Sequence, residues 1–182
     1  MALWIILGVI VIIALYVIGV YNSLISMRNK VKNSWAQIDV QLKRRFDLIP
    51  NIVNTVKGYA EHEKETLERV VEARNKFTSA STPEDRMEAN NELTRTLDRL
   101  MVVVERYPDL KANQGFIQLQ GELSATEDKI SFSRQFYNDI VMGYNTSIQR
   151  FPRNIVAGMF NFKEETFFEI DEASRQAPTV SF

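Results

Sequence analysis

His62 and Glu63 are the first residues whose types suggest catalytic chemistry. A zinc-binding helix of the HExxH type needs a second histidine four residues after the first, so that both imidazoles lie on one face. The required position holds Thr66, and the chain has one histidine and no cysteine. The sequence therefore predicts no metal site, no thiolate chemistry and no cofactor, and His62 is interpreted as solvated helix surface.

Carboxylate pairs at helical spacing are the second candidate for chemistry, as in Glu61 with Glu65 and Glu68 with Glu72. Residues four apart share one helix face, where two carboxylates could act as acid and base or hold a metal. A di-iron bundle also requires Glu-x-x-His motifs on two helices, which a single histidine cannot supply. We interpret these residues as solvated charge and predict a protein that is not an enzyme and has no small-molecule substrate.

Charged residues that interrupt apolar stripes are more informative. Glu127 and Arg134 lie among apolar residues of one predicted helix, and Asp39 and Arg74 lie on another. A buried charge is costly unless it is paired and hydrogen-bonded. We predict that Glu127 pairs with Arg74 or Arg134, and that all four residues are buried polar groups that fix helix register. A binding site built from them is the alternative.

A long amphipathic helix is predicted to position the first of these charges. Apolar residues recur every three or four positions over residues 24–60, and the pattern continues to about Phe77, as in a core-facing or coiled-coil helix. Pro50 lies within the pattern, and because the apolar phase continues across it, we predict a kink and not a helix end.

Two further long helices and a short one are predicted downstream. Residues 82–85 (Thr-Pro-Glu-Asp) form a helix-start pattern with a capping threonine and a first-turn proline. This helix ends before Pro108, and a third covers about residues 110–149. Short connections favour antiparallel neighbours. The predicted class is all-α, with an antiparallel bundle over residues 24–151 and a C-terminal apolar segment and tail over residues 152–182.

Residues 2–21 carry no charged side chain. About 20 helical residues at roughly 1.5 Å each span about 30 Å, the thickness of a bilayer core. We predict a retained transmembrane anchor over residues 1–23 that continues into the bundle. A cleaved signal peptide is the alternative, but the run lacks a preceding basic residue and a following small-residue cleavage site.

The residues that flank this run predict its orientation. No Lys or Arg precedes it, and basic residues follow at once, so the positive-inside rule places the N-terminus outside and the C-terminal domain in the cytoplasm. We expect no external domain. The positions assigned to the membrane interface are Trp4, Tyr16, Tyr21, Arg28, Lys30 and Lys32.

Blocks of like charge suggest contacts between copies of the chain. Residues 28–45 are mainly basic and residues 61–72 mainly acidic, a distribution that favours a homo-oligomer, although solvated surface explains it equally well. The apolar C-terminal segment could pack on its own bundle, on a neighbour or on lipid. The formal net charge of −1 disfavours nucleic acid. Positions assigned to assembly or lipid contact are Lys43, Arg44, Arg45, Ile155, Val156, Met159, Phe160, Phe167 and Phe168.

Three blocks of residues resemble one known family over essentially the whole chain. The first comprises residues 38–45 (IDVQLKRR), 47–51 (DLIPN) and 57–60 (KGYA), and the second residues 105–112 (ERYPDLKA). The third contains Arg134, Tyr137, Asn138, Tyr144, Asn145, Phe151, Pro152, Phe167 and Phe168. In order and spacing they resemble the LemA family, with Ser34 as a small departure where alanine is expected.

The resemblance implies a bacterial inner-membrane protein with one membrane helix, a cytoplasmic helical bundle and no known catalytic residues. Members resemble accessory proteins, often encoded near membrane metallopeptidases. Our functional hypothesis is a membrane-anchored scaffold that self-assembles and organises or remodels the inner membrane. The alternative is an adaptor that binds another membrane protein, such as a metallopeptidase.

Overall fold

The structure, a computed structural model, describes residues 1–60 and 62–169 of the 182-residue chain. Within those residues the chain forms helices and no strand, which confirms the all-α class. The helices are α1 (Ala2–Lys57), α2 (Lys64–Ser79), α3 (Pro83–Val104), α4 (Pro108–Lys111), α5 (Gln114–Gln149) and α6 (Arg153–Met159). Predictions that concern Glu61 and residues 170–182, the last part of the predicted C-terminal segment and tail, lie outside the described residues.

Helix α1 joins the apolar N-terminal run and the amphipathic stripe in one helix of 56 residues. All side chains over residues 2–16 are exposed, and Val20 is the first buried residue. Within the described part of the chain, α1 is the one helix long and apolar enough to cross a membrane. A run of apolar side chains that no neighbouring element covers is typical of a surface that faces lipid.

Pro50 lies inside α1 without ending it, so the predicted continuation through Pro50 is confirmed and the kink stays a prediction. The prediction of one helix to about Phe77 was wrong, because α1 ends at Lys57 and α2 begins at Lys64. Gly58, which has a low helix propensity, follows α1 directly. The rings of Phe46 and Phe77 stack with centres 3.8 Å apart, so α2 folds back along α1. The apolar residues of both helices recur every three or four positions, so the sequence pattern does not show where the first helix ends and the second begins.

The start of α3 follows the predicted capping pattern. The Thr82 hydroxyl accepts a hydrogen bond from the Asp85 amide at 3.1 Å, and the Asp85 carboxylate accepts one from the Thr82 amide at 3.3 Å. Pro83 is the first helical residue. This reciprocal capping box satisfies two amide donors at the start of the helix, and Lys76 then pairs with Glu92 at 2.8 Å to join α2 and α3.

The third long helix starts later than predicted. Pro108 begins the single turn of α4, and the buried Leu110 fixes that turn in the core. Asn113 then caps α5, because its side-chain oxygen accepts a hydrogen bond from the Phe116 amide at 2.9 Å. The asparagine cap, typical of helix starts, explains why α5 begins at Gln114 and not near Leu110.

The chain divides into two compact units. Unit 1 comprises Met1–Ala36 and Arg134–Phe167, and its core contains Leu24, Val141 and Tyr144. Among the described residues, unit 2 comprises Gln37–Ser133 together with Phe168 and Glu169, and its core is built by α1, α2, α3, α4 and α5. The largest fully buried side chains of unit 2 are Ile38, Leu42, Ile49, Ile52, Leu93, Leu100, Leu110, Phe116, Ile130 and Phe168. The predicted division into anchor, bundle and tail stays a prediction.

Candidate functional site

Arg45 of α1 is, within the described residues, the charged side chain buried most completely, with 3% of its surface exposed. Its Nη1 donates hydrogen bonds to Asn90 Oδ1 at 2.7 Å and to Thr94 Oγ1 at 3.0 Å. Its Nη2 lies 2.8 Å from Glu127 Oε2, in the geometry of an ion pair. These four residues, the Arg45 cluster, tie α1 to α3 and α5 within unit 2.

The Arg45 cluster holds a permanent cation. Burial lowers the pKa of the Arg45 guanidinium below its ordinary value, and the carboxylates of Glu127 and Asp98 oppose that shift. An arginine starts so far above neutrality that it keeps its proton in proteins. The cluster therefore offers no acid–base pair, and what it does is hold three helices together.

The structure corrects the predicted buried polar residues. The partner of Glu127 was predicted to be Arg74 or Arg134, but the ion pair joins Glu127 to Arg45. Glu127 is 44% exposed, so only Arg45 bears the full cost of desolvation. The four residues predicted to be buried are each half-buried: Asp39, Arg74, Glu127 and Arg134. Asp39 forms an ion pair with Arg86 of α3, and its role in fixing helix register stays a prediction.

Arg45 was also predicted to face a partner or lipid, together with Lys43 and Arg44. Lys43 and Arg44 are exposed, but Arg45 is not. The missed signal is its spacing, because Arg45 follows Leu42 by three positions and precedes Ile49 by four, on the buried stripe of α1. Because Arg45 follows two exposed basic residues, it was grouped with them although it lies in the core.

A second polar arrangement attaches the chain after α6 to α5. We call residues 162–167 the C-terminal strap. The Tyr144 hydroxyl donates to the Lys163 carbonyl and the Tyr137 hydroxyl donates to the Thr166 carbonyl, each at 2.9 Å. Burial raises the pKa of Tyr144, and Glu165 adds to that rise while Arg28 opposes it. The Tyr144 hydroxyl thus remains a protonated donor at neutral pH.

The side-chain amide of Asn145 pairs with both backbone groups of one strap residue, Glu165, as a residue on a neighbouring β-strand would. Its Nδ2 donates to the Glu165 carbonyl and its Oδ1 accepts from the Glu165 amide, each at 2.9 Å. Residues 162–167 therefore pack on α5 of the same chain. The usable signal was the Tyr-Asn pair that occurs at residues 137–138 and again seven residues later, two turns along one face.

The turn after α6 is fixed by backbone geometry. Asn161 has a φ of 55°, in the left-handed region that asparagine tolerates. The Phe162 amide donates to the Ala157 carbonyl at 2.9 Å and the Asn161 amide to the Gly158 carbonyl at 3.3 Å. This pattern is the Schellman motif, which ends a helix and reverses the chain. The turn therefore fixes the position of the Phe162 side chain.

The Phe162 side chain lies beside the end of the apolar run of α1. The ring of Tyr21 lies 4.8 Å from that of Phe160 and 5.8 Å from that of Phe162. The Arg28 guanidinium sits over the Phe162 ring at 5.3 Å, within the range of a cation–π contact. Tyr21 and Arg28, predicted to lie at the membrane interface, are half-buried in these contacts. The other predicted interface residues are exposed: Trp4, Tyr16, Lys30 and Lys32.

The apolar C-terminal residues fall into two sets. Val156 and Phe168 are buried in the fold, so their predicted role in assembly or lipid contact is wrong. Ile155, Met159 and Phe160 remain exposed on or next to α6. Phe167 is exposed at the end of the strap. Helix α6 therefore has an inner side that packs on its own unit and an outer apolar side.

An apolar groove of about 540 Å³ lies between the end of α1 and α2, lined by Val53, Leu67 and Val71 with charged residues at its rim. Across residues 1–60 and 62–169, no three acidic or histidine side chains gather in a way that could hold a metal. The groove could accept a side chain or helix of a partner, and it presents no convergent set of reactive groups.

Comparisons with known proteins agree with the sequence resemblance. The LemA family profile matches residues 34–182. Protein LemA of Metamycoplasma hominis is 28% identical over 159 residues, which cover 87% of this chain and 73% of that protein. Magnetosome protein MamQ 2 of Paramagnetospirillum magneticum is 24% identical over 175 residues, covering 82% of this chain and 64% of that protein.

A further relative is magnetosome protein MamQ of Magnetospirillum gryphiswaldense, 23% identical over 174 residues, which cover 81% of this chain and 64% of that protein. The chain thus spans a little less than two thirds of the magnetosome proteins. None of these names describes an enzyme. The predicted family resemblance is confirmed.

Replacing Arg45 by methionine is expected to lower the free energy of unfolding by about 2–4 kcal/mol, because buried acceptors on Asn90 and Thr94 lose their charged donor. Thermal and denaturant unfolding of the full-length protein in detergent measures the change. Arg44→Met is the matched control, since Arg44 is the exposed neighbour, and it should shift stability by less than about 0.5 kcal/mol. Equal stability of the two variants would contradict the structural role of the Arg45 cluster.

Replacing Asn145 by alanine is expected to loosen the C-terminal strap at a cost of about 1–3 kcal/mol, because both backbone groups of Glu165 lose their partner. Limited trypsin digestion measures this as faster cleavage after Lys163. Asn154→Ala, at an exposed position of α6, is the control and should leave the rate unchanged. A strap that resists trypsin equally in both variants would show that Asn145 does not hold it.

Proposed function

Because the chain belongs to the LemA family, we propose that it is a membrane-anchored, non-catalytic helical scaffold that assembles with copies of itself and organises or remodels the bacterial inner membrane. The observation that carries the proposal is the continuity of α1. One helix contains the exposed apolar run and the stripe that builds the core of unit 2. The apolar run and the stripe therefore belong to one uninterrupted helix.

The proposed orientation has the N-terminus outside and the folded units in the cytoplasm. The charge pattern supports it, since exposed Lys30 and Lys32 follow the apolar run and no basic residue precedes it. The positive-inside rule counts such residues within about 15–20 positions of a span. Arg28 adds a further charge at the same end while it covers Phe162.

The proposed arrangement of unit 2 is an antiparallel bundle. The pairing of α1 with α5 supports it. Arg45 of α1 contacts Glu127 of α5, whereas Tyr59, just after the end of α1, accepts a hydrogen bond at 2.9 Å from Asn113, just before the start of α5. Residue numbers therefore rise along α1 as they fall along α5. Such packing uses short connections and gives a stiff body, which suits a scaffold.

A non-catalytic role fits the chemistry of the polar groups. The Arg45 cluster holds a cation that does not titrate near neutrality, and the strap is held by neutral hydroxyl and amide groups. Each of these groups is used in a contact within the chain. A catalytic site would instead present reactive groups to an open cavity.

Self-assembly is proposed from exposed apolar side chains away from the span. Phe132 of α5 is 75% exposed, and Val102 of α3 and Ile117 of α5 are also exposed. Large apolar side chains are enriched at the cores of interfaces between copies. The exposed cations Lys43 and Arg44, with the acidic stretch of α2, offer complementary charge at the rims.

The alternative is an adaptor that binds another membrane protein, such as a metallopeptidase. The groove lined by Val53, Leu67 and Val71 favours this alternative, because an apolar groove bordered by charges can accept an amphipathic helix. Affinity capture from solubilised membranes separates the two functions, since a scaffold recovers mainly itself and an adaptor recovers a second protein in fixed ratio.

Electron microscopy of the full-length protein, in detergent and with liposomes, tests the proposal. We expect particles of many copies and liposomes drawn into coats or tubes, and Phe132→Ser should give smaller particles because it removes an apolar contact. Gln135→Ser, at an exposed polar position of the same helix, is the control. Monomers or dimers on unaltered liposomes would contradict the scaffold and favour the adaptor.

A further inference from the structure

The outer side of α6 has no partner within its own unit. Ile155 is 55% exposed and Met159 is 68% exposed, and they lie four residues apart on one side of the helix. Val156 and Ala157, which follow Ile155, are buried on the inner side. An exposed apolar side on a helix that is firmly packed by its other side marks a contact surface.

The position of α6 indicates what that surface contacts. The ring pairs of Tyr21 with Phe160 and Phe162 hold the end of α6 beside the last residues of the apolar run of α1. If the run spans the bilayer, Tyr21 lies at the boundary between acyl chains and headgroups, where aromatic residues concentrate. Helix α6 then lies at the same depth.

The charges around α6 complement an anionic lipid surface. Arg150 and Arg153 precede the apolar side chains and Lys163 follows them, while Lys30 and Lys32 come from α1. The strap also carries two carboxylates that keep their negative charge, on Glu164, which accepts a hydrogen bond from Gln149, and on Glu165. The five cations outnumber these two carboxylates. Apolar residues flanked by cations are the pattern of helices that lie in the interface plane.

We propose that the outer side of α6, carrying Ile155 and Met159 with Phe160 at its end, inserts into the headgroup–acyl boundary of the anionic leaflet next to the α1 span. The inference rests on the proposed function, since it requires that α1 cross the bilayer. The inserted residues add area to one leaflet only, and the Schellman turn and the strap hold them in a fixed place before they bind. Area added to one leaflet by residues held in a fixed position would bend the membrane, which is the physical basis of the proposed remodelling.

The chain contains no cysteine, so single-cysteine variants report from one position each. Ile155→Cys and Met159→Cys are labelled with an environment-sensitive fluorophore in the full-length protein, which is reconstituted into phosphatidylcholine–phosphatidylglycerol liposomes. Lipids brominated near the headgroup end of the acyl chains quench a fluorophore at the depth expected for positions 155 and 159, and lipids brominated near the methyl end quench one at the depth expected for position 10. Asn154→Cys is the control on the polar side of α6, and Ile10→Cys reports on the span itself.

We expect blue-shifted emission and bromolipid quenching at positions 155 and 159, and aqueous emission without quenching at position 154. Quenching should weaken in liposomes of phosphatidylcholine alone, because the flanking cations lose their anionic partners. Quenching at position 10 with aqueous emission at positions 155 and 159 would overturn the insertion of α6 and leave the anchor intact.

Two other results also overturn the inference. Absence of quenching at position 10 would show that α1 does not span the bilayer, so the proposed function fails with it. A blue shift at positions 155 and 159 without bromolipid quenching, and dependent on protein density in the liposomes, would show that a second copy of the chain covers α6 in place of lipid.

Discussion

The apolar side chains at the start of α1 are the constraint on which the rest of the structure depends. Residues 2–16 are exposed, and the described part of the chain provides nothing that covers them. Transfer of their apolar surface from water into lipid is favourable by roughly 25 cal/mol per Å². The same helix also supplies Ile38, Leu42 and Ile49 to the core of unit 2, so the exposed apolar run and these core residues belong to one helix.

Polar side chains in this molecule act as ties between elements. Arg45 joins three helices through one guanidinium, and Asn145 joins a helix to an extended segment through one amide. Each tie satisfies groups that would otherwise be buried without a partner, which is why the contacts are specific and costly to remove. Among the described residues, the polar groups of these two arrangements position helices and the strap within the chain.

Much of the fold was predictable because helices follow local rules. The capping box at Thr82 and the continuation of α1 through Pro50 depend on residues close in sequence, and both were correct. The end of α1 at Lys57 was missed because two helices that fold back share one apolar period. The burial of Arg45 and the contacts of Asn145 depend on residues that are distant in sequence, and spacing alone does not identify such partners.

The most direct test of the account is the topology of α1 in living cells. Ala2→Cys and Lys43→Cys variants of the full-length protein are treated with a membrane-impermeant maleimide in intact spheroplasts and again after permeabilisation. The account predicts that position 2 is labelled in intact spheroplasts and position 43 only after permeabilisation. Labelling of both positions in intact spheroplasts, or of neither position until the membrane is permeabilised, would contradict a membrane-spanning α1 and the scaffold built on it.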